Sequence, residues 1–407
     1  MLRDAFFHPA PPAVELRAFT HGLMPRTVPT MMQAFTDDWR TRGVDAWNEV
    51  PDHWGHGRRA GWWTLPDVLG DAFLAPLIGA ATGTTIHVPN VHAAVSGVLT
   101  SPEVWARGRR LVTTAGEFPS VLHAAHRWSA LLGFETVVVP PTMENYADVD
   151  RLMEEAAQPG TALVAVSHVG FTTGERLPDT TLRMLAETVH ATGGLLLVDG
   201  YHATGSLAVQ VDALGCDLYT GGLLKEACGS TGNAYLYVRP GLDLTPAAGG
   251  WFGDADAFGF GPAPTPHPEV RRRFLGGTTA IASFYHAVEG VRLLLEAGLP
   301  NVEAHVADLT AHAVAHADTL GLRLVTPRDP ARRGALMVLE VEAANALSAY
   351  LKTQYVYTYS RRDRVLRFAP FVWNDRADLD RLFEAVSGAL RSGTYRSYRE
   401  ETAGPVT

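Results

Sequence analysis

With 407 residues, 46% of them hydrophobic, the chain can hold two or three folding units, or one large unit with a smaller appendage. A formal net charge of −9, from 34 basic and 43 acidic residues, argues against a sequence-independent grip on nucleic acid. No apolar run approaches the roughly 20 residues that span a bilayer, the first residues lack the apolar core of a signal peptide, and Cys216 and Cys228 follow no metal or redox spacing, so a cytoplasmic protein without a metal is expected.

In chain order, residues 1–26 read as a Pro-rich loop. Helical periodicity (Met31, Met32, Phe35, Trp39) sets in over 27–43 and stops at Gly43. A loop dense in Trp and His, 45–59, leads to a long amphipathic helix expected over 62–82. Short β-branched runs then alternate with helix-length segments. The strands are Thr85–Val88, Arg110–Thr114, Glu135–Val139, 162–167, Leu195–Asp199, 217–220 and Ala234–Val238, with helices such as 120–132, 147–157 and 178–192 between them. Near-continuous apolar strands in this alternation predict a mostly parallel sheet buried between helices. Ligands on such sheets bind at the carboxyl ends of strands, where Ser167, Asp199 and Lys225 fall. A Gly, Pro, Trp and Phe loop without periodicity follows over 249–277, a length that marks a functional or mobile segment. Helices are expected over 278–299 and 301–319. The C-terminal third reads as an α+β unit with strands at 323–326, 336–341, 355–359 and Val365–Phe368 and a closing helix over 377–392.

Only two of the 34 basic residues are lysines, Lys225 and Lys352. An amine can lose its proton and attack a carbonyl, whereas a guanidinium cannot. Lys352 falls at the polar end of a short helix. Lys225 falls in a glycine-rich turn just past an apolar strand and is a candidate Schiff-base nucleophile. The strand Leu195–Asp199 ends in an acid, and a buried acid needs a cationic partner. A pyridinium nitrogen is such a partner, and an aspartate there keeps it protonated. His202, three residues on, can orient Asp199 or touch the ring substituents.

Several motifs, in order over nearly the whole chain, resemble the kynureninase-like branch of the class V aminotransferase superfamily, pyridoxal-5′-phosphate (PLP) enzymes of fold type I. Residues 198–206 resemble its D-x-A-H-A-x-G-N, residues 249–253 its G-W-F/W-G, residues 117–120 its x-F-P-S, residues 167–174 its S-x-V-x-(F/Y)-x-T-G, residues 366–370 its I-R-V/F-x-P and residues 21–25 its S-L-G-L-x-P. The resemblance implies an α/β fold, with a mostly parallel seven-stranded sheet sandwiched by helices in a large domain and a smaller α+β C-terminal domain. It implies an N-terminal segment 1–45 packing with the small domain, a PLP-binding domain 46–284, a small domain 285–396 and a tail 397–407. Lys225 becomes the Schiff-base lysine, Asp199 and His202 the ring partners, Phe118 the stacking aromatic and Arg367 the substrate-carboxylate fork. Ser167 and Trp251 contact the cofactor, with Trp251 and Trp63 also facing substrate among aromatic surroundings that include Trp62. Gly277 and Thr278 belong to a segment that related enzymes supply from the neighbouring subunit, which implies a homodimer.

The chain departs from kynureninases at three places. Leu224 stands where they carry a tyrosine. Residues 86–92 lose their hydroxyl residues, leaving His87, Asn90 or backbone amides around Val88 for the phosphate. The asparagine near the substrate ring is replaced within 276–278. The expected activity is therefore cleavage at the β-carbon of another amino acid, by C–C hydrolysis or β-eliminating C–S lysis, in specialised biosynthesis. Transamination, decarboxylation-coupled chemistry and a non-catalytic binding module are the alternatives. Cysteine desulfuration is disfavoured because no cysteine lies beyond Cys228.

Overall fold

The computed structural model describes residues 1–9, 13–142 and 146–398. All but the first two residues of the tail 397–407 therefore lie outside the described residues. Its centre is a seven-stranded sheet of β1 (Thr85–Val88), β2 (Arg110–Thr114), β3 (Glu135–Val139), β4 (Thr161–Ser167), β5 (Leu195–Asp199), β6 (Leu218–Gly222) and β7 (Ala234–Val238). The strand order is β1-β7-β6-β5-β4-β2-β3. Strands β2 to β6 run parallel, β7 is antiparallel to β6 and β1 to β7. Parallel neighbours need crossovers, and Pro119–Leu132, Val149–Ala156 and Asp179–Ala191 are among the helices that supply them. Helices on both faces require apolar side chains on both. Thus Leu196 and Val198 enter one core and Leu195 and Leu197 the other.

A second sheet is antiparallel and four-stranded, in the order Tyr359–Arg361, Val365–Phe368, Met337–Glu340, Arg323–Leu324. It has its own core, including Leu309, Leu339, Leu366 and Leu382, beneath helices Leu299–Thr319 and Arg376–Ser392. The start of the chain is tied to this region. Val14–Glu15 pairs in parallel with Val356–Tyr357, and Ala369 N donates to Leu16 O at 2.7 Å. A few residues later the same segment reaches the large sheet, where Gly22 N donates to Leu224 O at 3.0 Å. No helix among the described residues is long and apolar enough to cross a membrane, and both cysteines are free and buried.

Three expected elements are broken. The helix expected over 62–82 starts at Leu65, widens to a π turn at Gly70–Leu74 and ends at Leu77. There Gly70 presses on β1: a Cβ would lie 2.6 Å from Thr85 O. The helix expected over 278–299 starts only at Ile281 and divides into Ile281–Ala287 and Glu289–Ala297. The strand expected over 355–359 divides at Thr358, one part pairing with Val14–Glu15 and the other with Val365–Phe368. The 249–277 loop holds three short 3₁₀ turns.

Candidate active site

Ser167, Asp199 and Thr220 form one row across the carboxyl ends of β4, β5 and β6. Lys225 follows in the turn between β6 and β7. That turn is closed by Leu223 N to Asn233 O at 3.0 Å and Cys228 N to Lys225 O at 2.9 Å. Cys228 (φ 55°) and Ser230 (φ 57°) adopt left-handed backbone, at about 1–3 kcal/mol each, so packing must hold the turn in place. Two glycines provide it. A Cβ on Gly22 would lie 2.2 Å from Lys225 O, and one on Gly290 would lie 2.2 Å from Ala227 O. The N-terminal loop and the helix Glu289–Ala297 thus clamp the lysine turn by direct backbone contact.

Inside the clamp, Lys225 Nζ lies 2.9 Å from His202 Nε2, 4.4 Å from the centre of the Tyr201 ring and 5.5 Å from that of Phe118. Burial lowers the Lys225 amine to about 8. Burial, then the Lys225 and Arg367 cations, hold His202 well below its usual range, so its imidazole is neutral. Asp199 accepts from Tyr201 N at 2.9 Å, yet burial raises its carboxyl to about 6. Glu117 accepts hydrogen bonds from Ser167 Oγ and, at 2.7 Å, Thr114 Oγ1, and burial raises it to about 7. Arg367 donates through Nη2 to Phe171 O at 2.8 Å and lies over the Phe19 ring, while its Nε is buried without a partner among the described residues. Burial, then Arg361, lowers this guanidinium to about 10. Lys225, Asp199, His202, Ser167, Phe118 and Leu224 share one cavity of about 200 Å³.

This donor set fits PLP. Asp199 is a buried acid without an ion-pair partner among the described residues, at the end of a central strand, suited to a ring nitrogen. The Lys225 amine suits an aldehyde. Phe118 offers a flat face and Arg367 keeps a free donor for an anion.

Other residues singled out from sequence lie elsewhere. Trp63 packs on Phe252 and Phe258, with ring centres 4.3 and 4.6 Å away, and Trp251 stacks near Phe260. Gly277 and Thr278 are exposed, and none of these four lines the Lys225 cavity within one chain. Trp62 is corrected to a core residue: its Nε1 donates to Tyr285 Oη at 3.0 Å, away from the cavity. The ring of His87 is buried against Phe284 and bonded through Nε2 to Asn233 Oδ1 at 2.7 Å. Val88 is buried in β1, and Asn90 caps the helix Val91–Leu99 by accepting from Ala93 N at 2.8 Å. Sequence reasoning missed Tyr201, Phe171, Glu117 and Glu226. Tyr201 and Glu226 adjoin motif residues, but no spacing rule reveals that an acid beside a lysine is buried.

Residues 74–356 match the family model described as aminotransferase class V. The uncharacterized aminotransferase YcbU of Bacillus subtilis (strain 168) is 30% identical over 315 residues, covering 77% of this chain and 81% of the relative. Kynureninase of Pseudomonas fluorescens is 28% identical over 342 residues, 78% of each chain. Among solved structures, the cystine C–S lyase C-DES in complex with cysteine persulfide superposes with a TM-score of 0.77 at 19% identity, covering 95% of this chain and 98% of that one, a likeness of fold alone. A buried lysine, aspartate and histidine at the strand ends of such a sheet, together with the family match over most of the chain, lead to one conclusion: the chain belongs to the class V aminotransferase family, has the fold type I architecture and uses pyridoxal 5′-phosphate.

Proposed function

We propose that this PLP enzyme cleaves a bond at the β-carbon of an amino acid other than kynurenine, as a C–C hydrolase or a β-eliminating C–S lyase, and works as a cytoplasmic homodimer. The observation that carries the reading is the 2.9 Å contact between Lys225 Nζ and a neutral His202, in the cavity that holds the Asp199 carboxylate. Bound PLP supplies an electron sink for the substrate's α-carbon.

The chain's own residues do the rest. Asp199 would hold the ring nitrogen in its protonated form, and Phe118 would offer its face to the ring. Lys225 would hold the cofactor's aldehyde carbon and would take and return the proton at the substrate's Cα, for which an amine near 8 is well matched. Arg367 grips the substrate carboxylate with its unpaired donor. Ser167, held by Glu117, completes the polar floor. His87 is neutral, because burial lowers it to about 4, and its ring is taken by Asn233, so it brings no charge to a phosphate. The first-turn backbone N–H groups of the helix that Asn90 opens are the better cradle. Trp63, Trp251, Gly277 and Thr278 serve the cavity of a second copy, with Trp63, Trp251 and Gly277 facing its substrate.

Transamination is the second reading, favoured by the name of the 30% identical relative. Borohydride reduction of the yellow holoenzyme should fix the cofactor on Lys225, and a colourless protein that takes up no PLP would defeat both readings. Turnover with release of alanine, thiol or sulfide marks β-carbon cleavage. Stoichiometric 2-oxo acid with lasting loss of the visible band marks transamination.

A further inference from the structure

The residue after the lysine is an acid with no assigned task. Glu226 is 0% exposed, and neither of its carboxylate oxygens has a hydrogen-bond partner among the described residues. Its Oε1 lies 3.7 Å from His202 Nδ1, which is also buried and unpartnered. The other ring nitrogen of His202 is the one that meets Lys225 Nζ at 2.9 Å. Three buried titratable groups therefore stand in a line, and the one gap in it separates two orphaned polar atoms. A small rotation of the Glu226 side chain closes that gap to hydrogen-bond distance. A buried carboxylate left without a partner costs several kcal/mol unless it is neutral or used.

We propose that Lys225, His202 and Glu226 form a proton relay in which Glu226 stores the proton that Lys225 must lose to become a nucleophile. The idea rests on the reading of Lys225 as the cofactor-anchoring amine. In one arrangement the Lys225 ammonium donates to His202 Nε2, and Nδ1–H donates to the Glu226 carboxylate. In the other, Nε2–H donates to a neutral Lys225 amine, and protonated Glu226 donates to Nδ1. One proton leaves Nζ, one crosses from Nδ1 to the carboxylate and Nε2 gains one. No proton enters or leaves the protein, and a buried ion pair becomes a buried neutral pair. Low dielectric favours that direction, because desolvation penalises both charges.

The surroundings agree. Burial lowers the Lys225 amine to about 8 and raises the Glu226 carboxyl to about 8, so the two groups compete for one proton on near-equal terms. The other groups facing them are Asp199, Tyr201 and Cys228, with Arg367 beyond His202. None of the acids among them is aligned with His202 Nδ1.

The test is run on the apoprotein, so it stands or falls apart from borohydride labelling of the holoenzyme. Trace acetic anhydride acetylates neutral amines only. Mass spectrometry then reads Lys225 against exposed Lys352, an internal reference in a chain with two lysines. The relay predicts a two-step pH profile for Lys225 in the wild type. Its intermediate plateau is where the amine is already reactive while Glu226 holds the proton. A protonated-carboxyl infrared band should span the same plateau, and E226Q should abolish both band and plateau, leaving a single step. A single-step wild-type profile, or an ionised carboxylate at plateau pH, overturns the proposal. Should E226Q fail to fold, the wild-type profile and band decide by themselves.

Discussion

The Lys225 cavity and the 249–279 face are built on opposite terms. In the cavity, Asp199 and His202 are 7% and 5% exposed; Asp199 ends a strand and accepts from Tyr201 N, and the His202 ring meets Lys225 Nζ. On the face, Trp251, Phe258 and Phe260 are 41%, 60% and 77% exposed and lean mainly on one another and on Trp63. Beside them runs a groove of about 940 Å³, and a Cβ on Gly276 or Gly277 would meet nothing. The Lys225 cavity is thus lined within one chain, whereas the aromatic face is open to solvent. Apolar patches of this kind mark association sites.

Five experiments probe that contrast. K225A should remove borohydride-fixable cofactor and lower turnover by about 10⁴-fold or more, because both the anchor and the mobile base are lost; unchanged turnover would refute the reading outright. D199N should cut kcat by about 10²–10³-fold, the scale of losing one preorganised electrostatic group. It should also remove a pH dependence. In the wild-type apoprotein Asp199 takes up a proton as pH falls through about 6, so PLP affinity should weaken below that pH and become flat in the variant. R367Q should raise KM about 30-fold or more with a smaller change in kcat. R367K should rescue only in part, since an ammonium lacks the planar fork. G22A should cost about 1–3 kcal/mol in chemical denaturation, because its methyl group would meet Lys225 O at 2.2 Å. Finally, W251A should leave the stability of a dilute single chain within about 0.5 kcal/mol while weakening self-association in sedimentation. A large loss of monomer stability there would erase the distinction between the two regions.

Much of the fold was legible because strands buried on both faces must be apolar at nearly every position, and Leu195–Asp199 and Thr161–Ser167 carry that signature. Lys225 stood out because an arginine-rich chain kept a lysine there, and Asp199 because an acid closes an otherwise apolar strand. Trp62 and Trp63 were not separable by pattern. They are adjacent and chemically identical, yet one donates to Tyr285 in the core and the other joins the exposed aromatic cluster. The breaks in the helices expected over 62–82 and 278–299 were also hidden. Gly70 and Gly290 carry no local signal that they let backbones touch β1 and the lysine turn.

Sequence by itself determined the order of most strands and helices and singled out Lys225 and Asp199 as candidates, since periodicity and residue chemistry are local properties. Tertiary structure alone decided that Glu226 is sealed beside His202, that the N-terminal loop clamps the lysine turn and that the aromatic loop stays outside the cavity. Those outcomes depend on which distant backbones approach within contact distance, and burial sets the charge of a side chain only after they have done so.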